Sequence, residues 1–306
     1  MDSQLSPLIA SATQRIFTTL EQTSPVLCEP LEDWMKSLAG GHAPEAYFKH
    51  PLAFPTLLLP WWVEQSFGKT PNLELHEDIV YSSINGYYFI RMIDNVMDGE
   101  DTTEKKLLPA LAFFHTEFQT AYQKYFPPTH PFWKLYRTVW FGTAQAAVGD
   151  ARLESIDLNA FETLAAQKVS AAMIPVAAIC HLNDRLDVLP DWLEFVNRIG
   201  KWHQMFNDIF DWHKDSVNGN VTFFLSEARR LKNESESETA WIIRAGFAHG
   251  CDLMRQWMFD AQDLADTLNC PPMVAYLEKR ADLFEQRARA SLEGMQALQK
   301  LAALTA

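Results

Sequence analysis

Strand signals are nearly absent from this sequence. No Asn-Gly or Asp-Gly turn joins two alternating apolar runs, and Asn218-Gly219 follows a helical pattern. Apolar residues instead recur every third and fourth position over 5–21, 72–98, 104–126, 131–149, 156–183, 189–215, 236–268 and 272–302. Those stretches are rich in Ala, Leu, Met, Glu and Gln, which favour helix. The spacing predicts long helices, broken where proline demands it: at Pro127-Pro128 and Pro131, at Pro190 and at Pro271-Pro272. The polar run KNESESE at 232–238 reads as an exposed loop, and no composition shift marks a linker. The expectation is one all-α domain over 1–306, without internal repeats.

With 306 residues, 48% hydrophobic and 21% charged, and only 12 Gly and 16 Pro, the chain has the composition of a folded protein with a sizeable core. A net charge of −13 repels phosphate backbones, so a nucleic-acid partner is not expected. Cys28, Cys180, Cys251 and Cys270 lie far apart without a CxxC pair, which suggests neither zinc nor a disulfide framework and fits a reducing compartment. The first residues, MDSQLSPLIASATQRIF, lack the basic start of a secretory signal. Apolar runs such as 51–63 are interrupted by proline and too short to cross a bilayer. A cytoplasmic protein without stable membrane insertion is the expectation.

Two acidic helical rows carry the chemistry. In YYFIRMIDNVMDGED, Asp94 and Asp98 are four residues apart on one face, with Arg91 one turn earlier. Like charges at that spacing repel, so a helix that keeps them calls for a compensating cation. In IGKWHQMFNDIFDWHKD, Asn207, Asp211 and Asp215 stand at i, i+4 and i+8 and span about 12 Å. Ile90, Ile93, Met97, Phe206, Ile209, Phe210 and Trp212 flank the rows, which places the carboxylates at the mouth of an apolar interior. Magnesium binds a few carboxylate or amide oxygens and fills its other octahedral positions with water and phosphate oxygens. Two incomplete oxygen rows bridged by a diphosphate match that requirement. The alternative is that each row is a solvated helix face.

IDNVMD, followed about 110 residues later by NDIFDWHKD, resembles the paired metal motifs of class I isoprenoid synthases. The resemblance implies a bundle of long helices around a central cavity. It further implies up to about three Mg2+ ions, with Mn2+ as a substitute, held by Asp94, Asp98, Asn207, Asp211 and Asp215. Asn207, Asp211, Lys214 and Asp215 are similar to the Asn/Ser/Glu motif of terpene synthases, with Asp at the usual Ser and Glu positions, and Lys214 matches a lysine that contacts the diphosphate. Arg91, Asp94 and Asp98 with Gly200, Gln204, Asn207, Asp211 and Asp215 are also similar to squalene and phytoene synthases, from which Phe210 departs where an arginine is usual. The terminal Arg-Tyr pair of terpene synthases is missing, with Arg287 and Arg289 as positional candidates.

The implied partner is therefore a prenyl diphosphate, with farnesyl diphosphate suggested by the family, and many relatives pair as homodimers. A cyclising terpene synthase is the first reading and a condensing prenyltransferase the second; a non-catalytic helical scaffold is the third. Lys168, in the apolar stretch QKVSAAMIPVAAIC, resembles a diphosphate-contacting basic residue, its alternative being a lysine whose stem covers apolar surface. Pro175 in that stretch predicts a kink. Tyr87, two turns before Asp94, and Phe206 and Phe210 are candidates for lining a substrate cavity, whereas Trp61 and Trp62 read as packing.

Overall fold

The computed structural model describes residues 4–98, 103–150 and 153–305, and among these no strand occurs. The described residues fold into two compact units: Met1–Trp140 with Ala171–Pro190, and Phe141–Ser170 with Asp191–Ala306. In chain order the helices begin with α1 Leu5–Thr23, α2 Pro25–Leu38, α3 Glu45–Lys49, α4 Leu58–Ser66, α5 Leu73–Asp98, α6 Thr103–Leu107, α7 Ala110–Gln123 and α8 Phe132–Asp150. They continue with α9 Leu158–Val169, α10 Met173–Leu182, α11 Leu189–Phe210, α12 Trp212–Asn218, α13 Phe223–Leu231, α14 Glu238–Trp241, α15 Phe247–Thr267 and α16 Pro271–Thr305.

In the first unit, α5 packs against α1 and α7. Asp78 on α5 accepts from Arg15 at 3.0 Å, Lys124 at 3.0 Å and Tyr125 at 2.7 Å. Burial alone would raise its carboxyl, but those donors hold it below the ordinary range. Ser82 on α5 donates to the Phe118 carbonyl of α7 at 2.7 Å, and His76 meets Glu64 of α4 at 2.8 Å in a buried pair. Residues Met173 to Cys180 of α10 are all buried, and α10 packs on α4. Trp61 and Trp62 are core residues at 1% and 3% exposure, as their setting suggested.

Several long predicted helices are interrupted. The stretch 104–126 divides around Leu108-Pro109, because a proline disfavours helical geometry in the residue before it. The stretch 156–183 breaks in a 3-10 turn at Ser170–Ala172 rather than kinking at Pro175, which occupies the first turn of α10, where its missing N–H is not needed. The run Leu158–Leu182 is long and apolar enough to cross a bilayer, contrary to the reading of the sequence, and 61% of its most apolar window is buried within the protein. The stretch 236–268 contains a π-helical segment, Ile242–Gly246, between α14 and α15. Helices α2, α3, α4 and α13 were not marked by apolar periodicity; α2 opens on Pro25 and α4 carries Pro60 in its first turn. Of the loop expected at 232–238, residues 232–237 lie between α13 and α14, and Glu238 opens α14.

In the second unit, α11 forms much of the core. Trp192, Phe195, Val196, Ile199, Trp202 and Ile209 on its buried face have 0% exposure. Helix α16 runs against it: Phe284 meets Trp202 at 5.8 Å between ring centroids, and Arg280 lies 4.8 Å above the Trp202 ring. Arg255 of α15 grips Glu285 of α16 through Nε at 2.8 Å and Nη2 at 2.9 Å. Phe161 of α9 stacks on Phe223 of α13 at 4.7 Å and on Trp257 of α15 at 5.6 Å.

Candidate active site

The first acidic row ends α5. Its compensating cation comes from its own helix: Arg91 Nη1 lies 3.6 Å from Asp94 Oδ2, with side chains 39% and 48% exposed. A pair that wet contributes roughly 0–1 kcal/mol. Asp94 is thus wetter than the flanking apolar residues implied, and Met97 is itself 45% exposed. The Asp98 side chain lies outside the described residues. Tyr87 lies within an aromatic cluster, 4.8 Å from Tyr47, 5.2 Å from Phe48 and 5.2 Å from Tyr88. Burial, reinforced by Tyr47, raises its phenol well above the ordinary value, so it stays protonated; the nearby Arg91 acts in the opposite direction.

The second row lies across a break that the sequence did not reveal. Helix α11 stops at Phe210, and Asp211 adopts φ −104° and ψ 6° ahead of α12. The Asp211 N–H still donates to the Asn207 carbonyl at 2.9 Å, and the Asp215 N–H to the Asp211 carbonyl at 3.0 Å. Those two bonds flank the bend, and the helical ladder is interrupted at Asp211 between them. Asn207 and Asp211 are exposed and Asp215 is half-buried.

The end of α12 fixes Asp215. Gly219 takes the left-handed conformation, φ 72°, which glycine adopts without the Cβ penalty. Its N–H reaches the Ser216 carbonyl at 3.4 Å and the Asn220 N–H reaches the Asp215 carbonyl at 2.9 Å, the two bonds of a Schellman motif. That turn sets Asn220 so that its side-chain amide donates to Asp215 Oδ1 at 3.0 Å. Burial raises the Asp215 carboxyl; the Asn220 bond opposes this, Asp211 adds to it, and Lys214 and Lys168 oppose it.

One residue of this region had no assigned role in the sequence. Asp208, on the buried face of α11, is 3% exposed and accepts from Gln204 Nε2 at 3.0 Å. Burial pushes its carboxyl up to about 7, and Asp215 adds to the rise. Gln204, Lys168 and the Phe224 amide near the start of α13 act against it. The Gln204–Asp208 spacing of four, a pairing known to stabilise helices, was the signal available in the sequence.

Lys168 is exposed in the last turn of α9, yet its charge is felt at both Asp208 and Asp215. Lys214 is exposed and acts on Asp215. Phe206 and Phe210 are 4.7 Å apart, and Arg287 of α16 sits 5.1 Å and 4.3 Å above their rings. Arg287 makes no ion pair among the described residues, so stacking holds its charge beside the second row. His203 is occupied elsewhere: Arg280 Nη2 meets its Nδ1 at 2.9 Å, and burial, then Arg280, lowers it to about 3. Among the described residues, no three His, Cys, Asp or Glu side chains form a group able to hold a metal ion. Asn207, an amide donor, falls outside that set. The donors present are all oxygens, and Asp211 raises the proton affinity of Asp215, as expected of a site with excess negative charge. A hard dication fits that donor set.

The described residues adopt the all-α isoprenoid synthase fold. The chain is similar to the geranylgeranyl pyrophosphate synthetase of the archaeon Geoglobus acetivorans, with a TM-score of 0.67 and 14% identity over 93% of this chain and 99% of that one. It is also similar to the FPPS of T. brucei, with a TM-score of 0.53 and 13% identity over 95% of this chain and 97% of that one. No protein-family model matches the chain, and no curated protein matches it.

Proposed function

We propose that this protein is a Mg2+-dependent enzyme that ionises a prenyl diphosphate. The observation that carries the reading is the arrangement at the end of α11, where Asp215 lies within range of the charges of Asp211, Lys214 and Lys168. Asp94, Asp98, Asn207, Asp211 and Asp215 would hold the metal. Bound Mg2+ supplies Lewis-acid stabilisation of charge developing on the diphosphate oxygens. Lys168, Lys214, Arg91 and Arg287 neutralise the leaving anion as its C–O bond breaks. Phe206, Phe210 and Tyr87 present ring faces that stabilise the allylic cation and exclude water. The four cysteines are free, which suits a cytoplasmic setting.

Transfer of the prenyl cation to a second prenyl unit, with loss of one proton as the C–C bond forms, is the reading that the structural neighbours favour. Both are named as prenyl diphosphate synthases. Closure of the cation on its own chain, a terpene lyase reaction, is the second reading. It is supported by Asn207 heading the second row with Lys214 just before Asp215. Purified protein supplied with geranyl, farnesyl or geranylgeranyl diphosphate, alone and with isopentenyl diphosphate, separates the two by product carbon number. Prenyl transfer predicts elongation only with the second substrate, or a product of doubled carbon number from one substrate. Closure predicts a cyclic product of unchanged carbon number, and no turnover under any condition leaves a non-catalytic scaffold.

Asn220→Ala tests the hold on Asp215. Removing an outer hydrogen-bond partner of a metal ligand costs about 10- to 100-fold in metal affinity or activity. The expected outcome is a rise of that order in the Mg2+ concentration needed for half-maximal turnover. An unchanged Mg2+ requirement would show that Asp215 does not ligate.

A further inference from the structure

We infer that Gly200 is a positioning residue that sets where Lys168 lies against the second acidic row. Gly200, Gln204, Asn207 and Asp211 stand at i, i+4, i+7 and i+11 and share one face of the α11 register. The end of α9 rests on that face at Gly200. A Cβ built on Gly200 would lie 2.3 Å from Val169 Cγ2, closer than two carbons can approach, and 3.4 Å from Val169 Cβ. Val169 is the last residue of α9, and Lys168 precedes it. The missing side chain therefore lets the α9 terminus seat one turn upstream of Gln204. A methyl group at position 200 lifts Val169 away and carries Lys168 with it.

The inference rests on the proposed function for its catalytic readout only. Gly200→Ala is expected to lower kcat for diphosphate release about tenfold or more, since small displacements of a positioned group are costly. Val169→Ala leaves turnover near that of the native protein, and Gly200→Ala with Val169→Ala restores it by making room for the methyl. In a Lys168→Met background, Gly200→Ala lowers kcat no further; a residue that served the fold alone would still add its loss. Val169→Ile, which crowds the same contact by one methylene, gives a smaller loss in the same direction and serves if Gly200→Ala does not fold. Undiminished kcat in Gly200→Ala, no rescue in a folded double variant, or an additive loss without Lys168 would each overturn the inference.

If the native protein releases no diphosphate, the proposed function fails, and the inference is judged without turnover. Lys168→Met and Asp208→Asn are then expected to shift the urea midpoint non-additively in the native background. They become additive with Gly200→Ala and non-additive again with Val169→Ala added. Additivity in the native background, or non-additivity that survives Gly200→Ala, would overturn it on this readout as well.

Discussion

Asn207→Ala is expected to cut diphosphate release by about 100-fold or more while leaving helical content unchanged. Asn207 is exposed on α11, so its side chain contributes little to the core, and its truncation removes an oxygen donor rather than packing. The loss should fall in kcat, because a ligand to the metal stabilises charge that develops as the C–O bond breaks. Steady-state kinetics with circular dichroism on the same preparation check both halves. A variant with native kcat would remove the second row from the mechanism. One that is inactive because its helices are lost would reassign Asn207 to the fold.

Asp208→Asn is expected to stabilise the protein in neutral and mildly alkaline solution, against the usual effect of altering a buried residue. The folded carboxyl titrates near 7, above its ordinary 3.8, because burial penalises the anion. Between those values the folded chain binds a proton that the unfolded chain has released, so stability falls as pH rises through the window and levels off above 7. At one pKa unit per 1.36 kcal/mol, the ionisation costs up to about 4 kcal/mol of stability at alkaline pH. The asparagine escapes that cost and can still accept from Gln204. Urea unfolding in Mg2+-free buffer should show the variant more stable at pH 8 and little different at pH 4. Equal stability at both pH values would show that Asp208 is not held protonated by its surroundings.

Residues at 72–98 could be read as one helix because their apolar residues keep a single period, and α5 runs from Leu73 to Asp98. Periodicity did not report the 3-10 turn at Ser170–Ala172, because both flanking helices are apolar and their patterns join smoothly. It did not report the bend at Asp211 either, since the apolar spacing over 189–215 runs straight across it. Helices α2 and α4 lay outside the apolar runs; Pro25 and Pro60 stand in their first turns, where proline is tolerated, while Pro30 lies inside α2.

At the candidate site, type and spacing made the two rows legible, since Asn207, Asp211 and Asp215 need only a helical repeat to share a face. The support around them was not legible. Asn220 reaches Asp215 through a left-handed glycine turn, Lys168 acts on Asp208 and Asp215 from another helix, and Arg287 reaches Phe210 from α16. Each of those relations depends on tertiary packing. The exposure of Asp94 likewise depends on what covers its helix rather than on the apolar residues beside it.

The most direct test of the central claim is diphosphate release by the purified native protein from geranyl, farnesyl and geranylgeranyl diphosphate, with and without isopentenyl diphosphate, measured before and after removal of Mg2+ by chelation. The account predicts release with at least one substrate, loss of release on chelation and recovery when Mg2+ is restored. Release that persists without a divalent cation would contradict metal-assisted ionisation, and no release from any prenyl diphosphate would contradict the proposed enzyme itself.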